Sequence, residues 1–451
     1  MEKTKKYENM SVVNPHAAGI DVGSKSHFVS VGQQKEDVKE FGIYTENHHD
    51  LCKWLKEKEV TTVAMESTGN YWIPLFFMLQ SYGFAVILVN GKFTKNVRGK
   101  KSDVLDCQWI QKLHSLGLLE GSFIPDNDTQ ELRQLCRHRQ SMLEDAASYI
   151  KKMQKSLRQT NIRLDNALND TMGVSGKAIV EAIISGHRDP KYLASLVNFR
   201  VKKSQDEIAK ALTGDWRNEY VFELKQSYEV YQFIHQKIAE CDKQIEVILQ
   251  ERIKQYNAPL PNDLCTSEIK IKKYNKNDPQ INLQILSYQL TDGIDLSAID
   301  GVSHNTLLAI LSEVGIDFSK FPTAKHFASW LHLAPNNKIT GGKIISSRTQ
   351  KGKNRLADAL RHVAVVIGHN LKGGALHQFF HRIAFKKDKA AAITATARKI
   401  AVIIWNMMTK KTPFSYMNEE EYLKGIRVKQ INSLKKKMKS LGIKPHEIGL
   451  L

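Results

Sequence analysis

The sequence predicts an α/β domain followed by a mostly helical region, and three observations carry that expectation. Short apolar runs alternate with helical patterns over residues 1–128. Long polar-rich stretches with apolar residues at helical spacing follow over 129–290. Short helical patterns from 291 onward enclose one Gly- and Ser-rich basic stretch. The expected divisions are 1–128, 129–290, 291–418 and a basic tail, 419–451.

Ala17–Val22 (AAGIDV) reads as a buried strand and His27–Val31 as the next, joined by the turn Gly23-Ser24-Lys25. A third strand is expected near Val38–Tyr44, then a helix after Thr45 with Leu51, Trp54 and Leu55 at helical spacing. Thr61–Met65 is a strand. Ser67–Gly91 carries no charged residue, yet Pro74 and the polar break Gln80-Ser81-Tyr82-Gly83 divide it. It predicts a helix over 72–81 and a strand over 84–89, not a membrane span. Ser102 can cap a helix from Asp103 to Leu116, with Leu105, Trp109, Ile110 and Leu113 on its apolar face. Three strands followed by α–β–α–β–α describe a mixed sheet flanked by helices.

Helical stretches over 129–168 and 216–256 suit a helical hairpin or coiled coil, with Tyr228, Tyr231, Ile234, Ile238, Cys241, Ile245 and Ile248 in register. Pro259–Pro279 reads as a loop or linker. Short helices are expected around Ile299–Ser303 and over 321–333, then a basic loop, Pro335–Asn354. Helices follow near 355–371, 375–385 and 389–409, and lysine dominates 424–444.

The net charge of +19 is unevenly spread. Residues 1–128 hold 15 basic and 16 acidic side chains, 129–290 hold 25 and 20, and 291–451 hold 26 and 11. A basic excess at one end points to polyanion contact there. The five cysteines (Cys52, Cys107, Cys136, Cys241, Cys265) form no CxxC, which argues against a disulfide framework or zinc knuckle and fits a reducing cytosol. His48-His49 and Cys136–His138 read as surface or packing pairs. The first residues lack an apolar signal region, so a cytoplasmic location is expected.

Asp21 lies in an otherwise apolar strand, where a carboxylate needs a partner or a cation. Glu66 ends another strand, and Asp103 and Asp106 share one face at the start of a helix. Each acid singly has an ordinary reading: a turn cap, a lysine partner, a favourable first-turn charge. Gathered together they would repel unless a divalent cation neutralised them. Oxygen-only ligation suits Mg²⁺ or Mn²⁺, and such ions assist phosphoryl transfer.

The segments AAGIDVGSKSHFVSV, AMESTGNYW and Lys-Ser-Asp103-x-x-Asp106 resemble the Asp-Glu-Asp-Asp site of transposases of the insertion-sequence-110 family. The resemblance implies a RuvC-like, ribonuclease-H-type domain in which Asp21, Glu66, Asp103 and Asp106 bind Mg²⁺ at a DNA-processing site. The matched stretch Asn90–Lys101 brings Lys92, Lys95, Arg98, Lys100 and Lys101 with no acid among them, suited to phosphate contact.

A second block, Leu333–Gly342 followed by Ser346–Asn354, resembles the family's transposase domain. There a serine before the glycine attacks DNA and forms a covalent 5′-phosphate link. Thr340 stands at the matching position, with Ser346 and Ser347 nearby as alternatives. Threonine keeps the hydroxyl, although its methyl restricts χ1. The block has its own logic as well. Lys338, Lys343, Arg348, Lys351, Lys353 and Arg355 are six basic residues without an acid, and Gly341-Gly342 lets the backbone approach a phosphate. A flexible loop that merely contacts phosphate is the plainer reading. Ile299-Asp-Gly301-Val-Ser303 also resembles the hairpin of a helix-hairpin-helix backbone binder.

The expected function is a DNA transposase or recombinase acting on double-stranded element ends and target. Family membership implies an element-encoded noncoding guide RNA and assembly as a dimer or tetramer. Three rivals remain at the level of sequence. One is a metal-dependent nuclease of the Holliday-junction-resolvase type, with no covalent step. Another is an actin- or sugar-kinase-like ATPase, suggested by Gly19–Ser24, and the third is a non-enzymatic nucleic-acid scaffold.

Overall fold

Five strands form the first sheet, and the apolar spacing explains where each lies. The computed structural model describes residues 10–91, 102–256, 272–369, 373–415 and 419–442. Strands β1 (Ala17–Val22), β2 (Ser26–Ser30), β3 (Val38–Gly42), β4 (Thr62–Glu66) and β5 (Ala85–Val89) are ordered β3-β2-β1-β4-β5. The β1–β2 and β2–β3 pairs are antiparallel, whereas β1–β4 and β4–β5 are parallel. Helices α1 (Thr45–Glu57), α2 (Trp72–Ser81) and α3 (Asp103–Ser115) cover this sheet. The charge-free stretch is therefore a helix and a strand, and among the described residues no helix is long and apolar enough to cross a membrane. The topology is that of a RuvC-like, ribonuclease-H-type domain.

Alternation along β1 and β4 sorts their side chains onto two faces. Ala18, Ile20, Val22, Val63 and Met65 join Leu51, Leu55, Leu75 and Leu79 in one core under α1 and α2. The opposite face takes α3, and Gly19 is the reason it fits so closely. A Cβ at position 19 would overlap the Gln111 amide nitrogen and the Cys107 carbonyl, so backbone meets backbone there. Gln111 Nε2 donates to Ala17 O at 3.1 Å, and Gln108 Nε2 donates to the Gln33 and Gln34 carbonyls, both at 3.1 Å.

The chain forms two compact units, residues 1–124 and 125–451. In the second, α4 (Asn127–Gln159) and α9 (Asn218–Gln255) pair along their length, as the helical periodicity predicts. The helix expected over 129–168 stops at Gln159, and α5 (Leu164–Ala167) follows a turn in which Asn161 adopts positive φ. Helices α6 (Val174–Ile184), α7 (Pro190–Ser195) and α8 (Gln205–Ala211) close a core containing Met153, Leu157, Ile179, Leu193 and Leu224. Of the stretch expected as a linker, Pro259–Pro279, residues 259–271 lie outside the described residues.

After it come α10 (Leu283–Leu290), α11 (His304–Glu313) and α12 (Ala324–Trp330). Next are strands β6 (Lys338–Thr340) and β7 (Lys343–Ser346), then α13 (Arg355–His369), α14 (Ala375–Lys386), α15 (Lys389–Lys410) and α16 (Glu419–Ser440). Two expectations are corrected here. The basic loop over 335–354 contains a β-hairpin, and the lysine-rich tail forms a helix.

Candidate active site

The β1–β4 register runs Ala17 with Thr62 through Ile20 with Met65, so one step further Asp21 stands level with Glu66. Both occupy the face that carries α3, at the C-terminal ends of two parallel strands, where open α/β sheets bind ligands. Both are half-exposed, so the site is open to solvent. Helix α3 runs back along β1: His114, near its C-terminus, bonds to Thr62 Oγ1 at 2.9 Å, and Cys107, near its N-terminus, rests against Gly19. Its first turn, with Asp103 and Asp106, thus points toward the end of β1. The Ser102 hydroxyl caps that turn by accepting from Leu105 N at 3.3 Å.

Electrostatics report the same grouping. The Cys107 thiol is pushed up to about 12, first by burial, then by the negative charge of Asp21, with a smaller contribution from Asp106. The carboxylate of Glu66 lies against the backbone at Gly91, where an added Cβ would overlap Oε1. Glycine there leaves the carboxylate its space.

Among the described residues, no three His, Cys, Asp or Glu side chains stand close enough to hold a metal ion. Asp21 and Glu66 share one face of the sheet, and Asp103 and Asp106 occupy the first turn of the helix that packs on that face. The donor chemistry still fits a hard divalent cation, since every donor is oxygen and Glu66 has room kept for it by Gly91. Lys92, Lys95, Arg98, Lys100 and Lys101 lie outside the described residues.

Thr340 is the last residue of β6 and pairs with Lys343 across the turn. Gly341 and Gly342, at φ +55° and +76°, form the two-residue turn, which needs positive φ at both positions. The ribbon continues to a bridge between Pro335 and Thr349, with Asn336 N donating to Arg348 O at 3.0 Å. Lys338, Thr340, Lys343, Arg348, Lys351, Lys353 and Arg355 are all exposed. Thr340 and Lys343 share one face of the ribbon by alternation. Ser346 closes β7 at the base of the ribbon and Ser347 is exposed beyond it. The Asn354 side chain then caps α13 by accepting from Ala357 N at 3.0 Å.

Sequence reasoning missed a cleft of about 720 Å³ beside this ribbon, lined by Arg137, Ser303, Asn305, Lys353, Arg355 and His362. Arg137 is far away in sequence, on α4, so no local spacing announces it. The Ile299–Ser303 hairpin forms the cleft's edge: Gly301 has φ +76° and Ser303 caps α11. Lys272 Nζ donates to the carbonyls of Ser297 and Val302, at 2.7 and 2.6 Å, and so fixes that hairpin. Gln33, Gln108 and Gln111, which clamp α3 to the sheet, were likewise invisible to motif reading.

Two family models match the chain, one described as Transposase over residues 18–162 and one as Transposase IS116/IS110/IS902 family over residues 295–380. Together they take in about half of the chain, and both are models of transposase domains. The chain belongs to the IS110 family. It is 34% identical over 122 residues to the pilin gene-inverting protein of Moraxella bovis, covering 26% of this chain and 37% of that one. It is 27% identical over 135 residues to the insertion element IS110 uncharacterized 43.6 kDa protein of Streptomyces coelicolor, covering 30% and 33%. A probable family 20 transposase of Pseudomonas aeruginosa is 28% identical over 120 residues, covering 26% and 35%. The chain thus spans about a third of the length of these curated relatives.

Proposed function

We propose that the chain is a DNA transposase or recombinase that cuts element ends and joins them to target DNA by phosphoryl transfer. The observation that carries this reading is the strand register that lines up Asp21 with Glu66 on the face covered by the helix bearing Asp103 and Asp106. These four carboxylates would hold Mg²⁺ or Mn²⁺. The bound cation supplies charge neutralisation at phosphate oxygens.

The remaining chemistry belongs to the basic ribbon. The Thr340 hydroxyl attacks a phosphodiester, forming one P–O bond to Oγ1 and breaking one to the 3′ oxygen. The hydroxyl proton passes to solvent or a neighbouring base, and the 3′ oxygen leaves as a hydroxyl. The 5′-phosphate stays on Thr340, which conserves the energy needed for rejoining. Lys343, across the turn, and Arg348 stabilise the added negative charge on phosphorus. Lys338, Lys351, Lys353 and Arg355, with Gly341 and Gly342, hold the backbone close, and Lys92, Lys95, Arg98, Lys100 and Lys101 add further phosphate contacts. In this reading an element-encoded noncoding RNA selects the DNA, the protein works as a dimer or tetramer, and the reaction takes place in the prokaryotic cytosol.

Denaturing electrophoresis after incubation with labelled element-end DNA tests the reading. Wild-type protein and Thr340→Ser are expected to retain covalently attached DNA in Mg²⁺, whereas Thr340→Ala and Asp21→Asn lose it. If Thr340→Ala cuts DNA at the wild-type rate with no attached product in any variant, the chain is a resolvase-type nuclease.

A further inference from the structure

Three helices meet at another cleft, of about 330 Å³, and among the described residues none that lines it is acidic. Helix α14 contributes Phe379 and Arg382, α15 contributes Lys399, and α16 contributes Tyr422, Ile426 and Lys429. Lys399 stands between two rings. Its Nζ is 4.8 Å from the centre of Phe379 and 5.2 Å from that of Tyr422, and Arg382 Cζ is 5.5 Å from the Phe379 centre. The rings hold these cations by their faces without neutralising them. The ammonium of Lys399 is held below its usual range, first by burial and then by Arg382 and Lys429, and no acid offsets them. Glu419, which accepts from Gln378 Nε2, does not line the cleft.

Long side chains that cover Ile426 with their stems would explain one cation, its charged end free to reach water. They do not explain three converging on one hollow, with Lys399 half-buried among them. The positive row also continues beyond the cleft. On α14, Lys386 follows Phe379 and Arg382 at i+7 and i+4, on the same face. On α16, Lys436 follows Lys429 at i+7. Gln378 and Glu419 join the starts of the two helices, and Arg382 and Lys429 share the cleft, so α14 and α16 run in the same direction. Lys386 and Lys436 therefore stand at one end of the cleft, and both are exposed. From Lys429 to Lys436 the row rises about 10 Å, longer than a single phosphate needs.

We propose that the cleft between α14, α15 and α16 holds the phosphodiester backbone of a nucleic-acid strand. Arg382, Lys399 and Lys429 take one phosphate, and Lys386 and Lys436 take the next. With cations over both rings, the cleft suits phosphate rather than a stacked base, so the contact positions the strand and reads no sequence. DNA and RNA backbones share this chemistry. Of these residues all but Phe379 lie beyond those matched by either family model. The site uses none of the carboxylates and none of the ribbon residues. It adds a binding site to the proposed chemistry and needs no covalent step.

Binding of full-length protein to oligo(dT), to duplex DNA and to oligo(U) of equal length tests the site and separates its sources. Arg382→Gln/Lys399→Gln/Lys429→Gln is expected to weaken binding of at least one of the three by about tenfold. The slope of log K against log salt should fall by about 0.7 for each phosphate released on a single strand, or about 0.9 on duplex DNA. Lys424→Gln/Arg427→Gln/Lys435→Gln removes equal charge from other sides of α16 and should cost far less. Equal losses in the two triple variants, or no loss with any ligand, would overturn the proposal. Cysteine protection gives a reading that does not depend on removing charge. Maleimide should modify Ile426→Cys, inside the cleft, and Val428→Cys, on the far side of α16, above the wild-type background, since the four native cysteines described are buried or half-buried. The bound oligonucleotide should slow modification at position 426 by about tenfold and leave position 428 unchanged. Equal protection at both positions, protection at neither, or protection at 426 by inorganic phosphate alone at the same concentration would refute a strand in the cleft. Because these readings follow binding, they hold whether or not Thr340 forms a covalent link.

Discussion

A methyl group at position 19 would overlap the backbone of α3 at both Cys107 and Gln111. Gly19→Ala is therefore expected to lift the helix that carries Asp103 and Asp106, at a cost of about 1–3 kcal/mol. Urea unfolding should show the loss, whereas Asp21→Asn should leave the midpoint near wild type and abolish DNA joining. Buried histidines set the acid limit of the same unit. His27 and His48 are packed together with their Nε2 atoms 3.2 Å apart, and His27 is lowered from 6.5 to about 4, first by burial, then by His48. His114, lowered to about 4 by burial, behaves alike. Both favour the neutral form when folded, so the unfolded chain binds more protons below 6.5. Their stabilisation is complete above about pH 6.5 and is lost as pH falls toward 4, by on the order of 2–3 kcal/mol each. Thermal melts between pH 7.5 and 4.5 should show this fall, with a shallower slope in His27→Gln. A midpoint independent of pH over that range would contradict the burial argument.

At the scale of elements, the long helices were legible because their apolar residues recur every three to four positions. Arg139 of α4 and Asp242 of α9 show what periodicity leaves out. Both are almost fully buried, and they form an ion pair, with Arg139 also donating to Asn277 O at 3.1 Å. Arg139→Met is expected to destabilise by about 3–5 kcal/mol because Asp242 is left charged and buried. The double variant Arg139→Met/Asp242→Leu should recover most of that loss, as measured by chemical denaturation. The β6–β7 hairpin reads as a loop in the sequence for a different reason. Its strands have three and four residues, all but one of them exposed, so no alternation between core and solvent marks them. Only Gly341-Gly342 signals the turn, and that dipeptide fits a loop equally well. The carboxylates were easier to find, because charge within apolar strands and at a capped helix start stands out from its surroundings.

Across the whole molecule, charge is unevenly divided. From Phe318 to Asn418 there are 18 basic and 2 acidic residues around the exposed ribbon, while residues 1–128 are close to neutral. DNA affinity should therefore fall steeply with salt. Replacing Lys338, Lys343, Arg348 and Lys351 by Gln should reduce the slope of log K against log salt by about 0.9 for each phosphate that the protein no longer neutralises. Fluorescence anisotropy from 50 to 300 mM NaCl measures it, and an unchanged slope would mean that the ribbon does not touch phosphate.

By itself the sequence determined the α/β-then-helical plan, the charge division and the residue types of the candidate site, since periodicity and composition are local properties. Tertiary structure alone decided that Asp21 stands level with Glu66, that Gly19 admits α3, and that Arg137 joins Lys353 and Arg355 around one cleft. Those facts depend on strand register and on close packing between distant segments, and no local pattern in the chain encodes either.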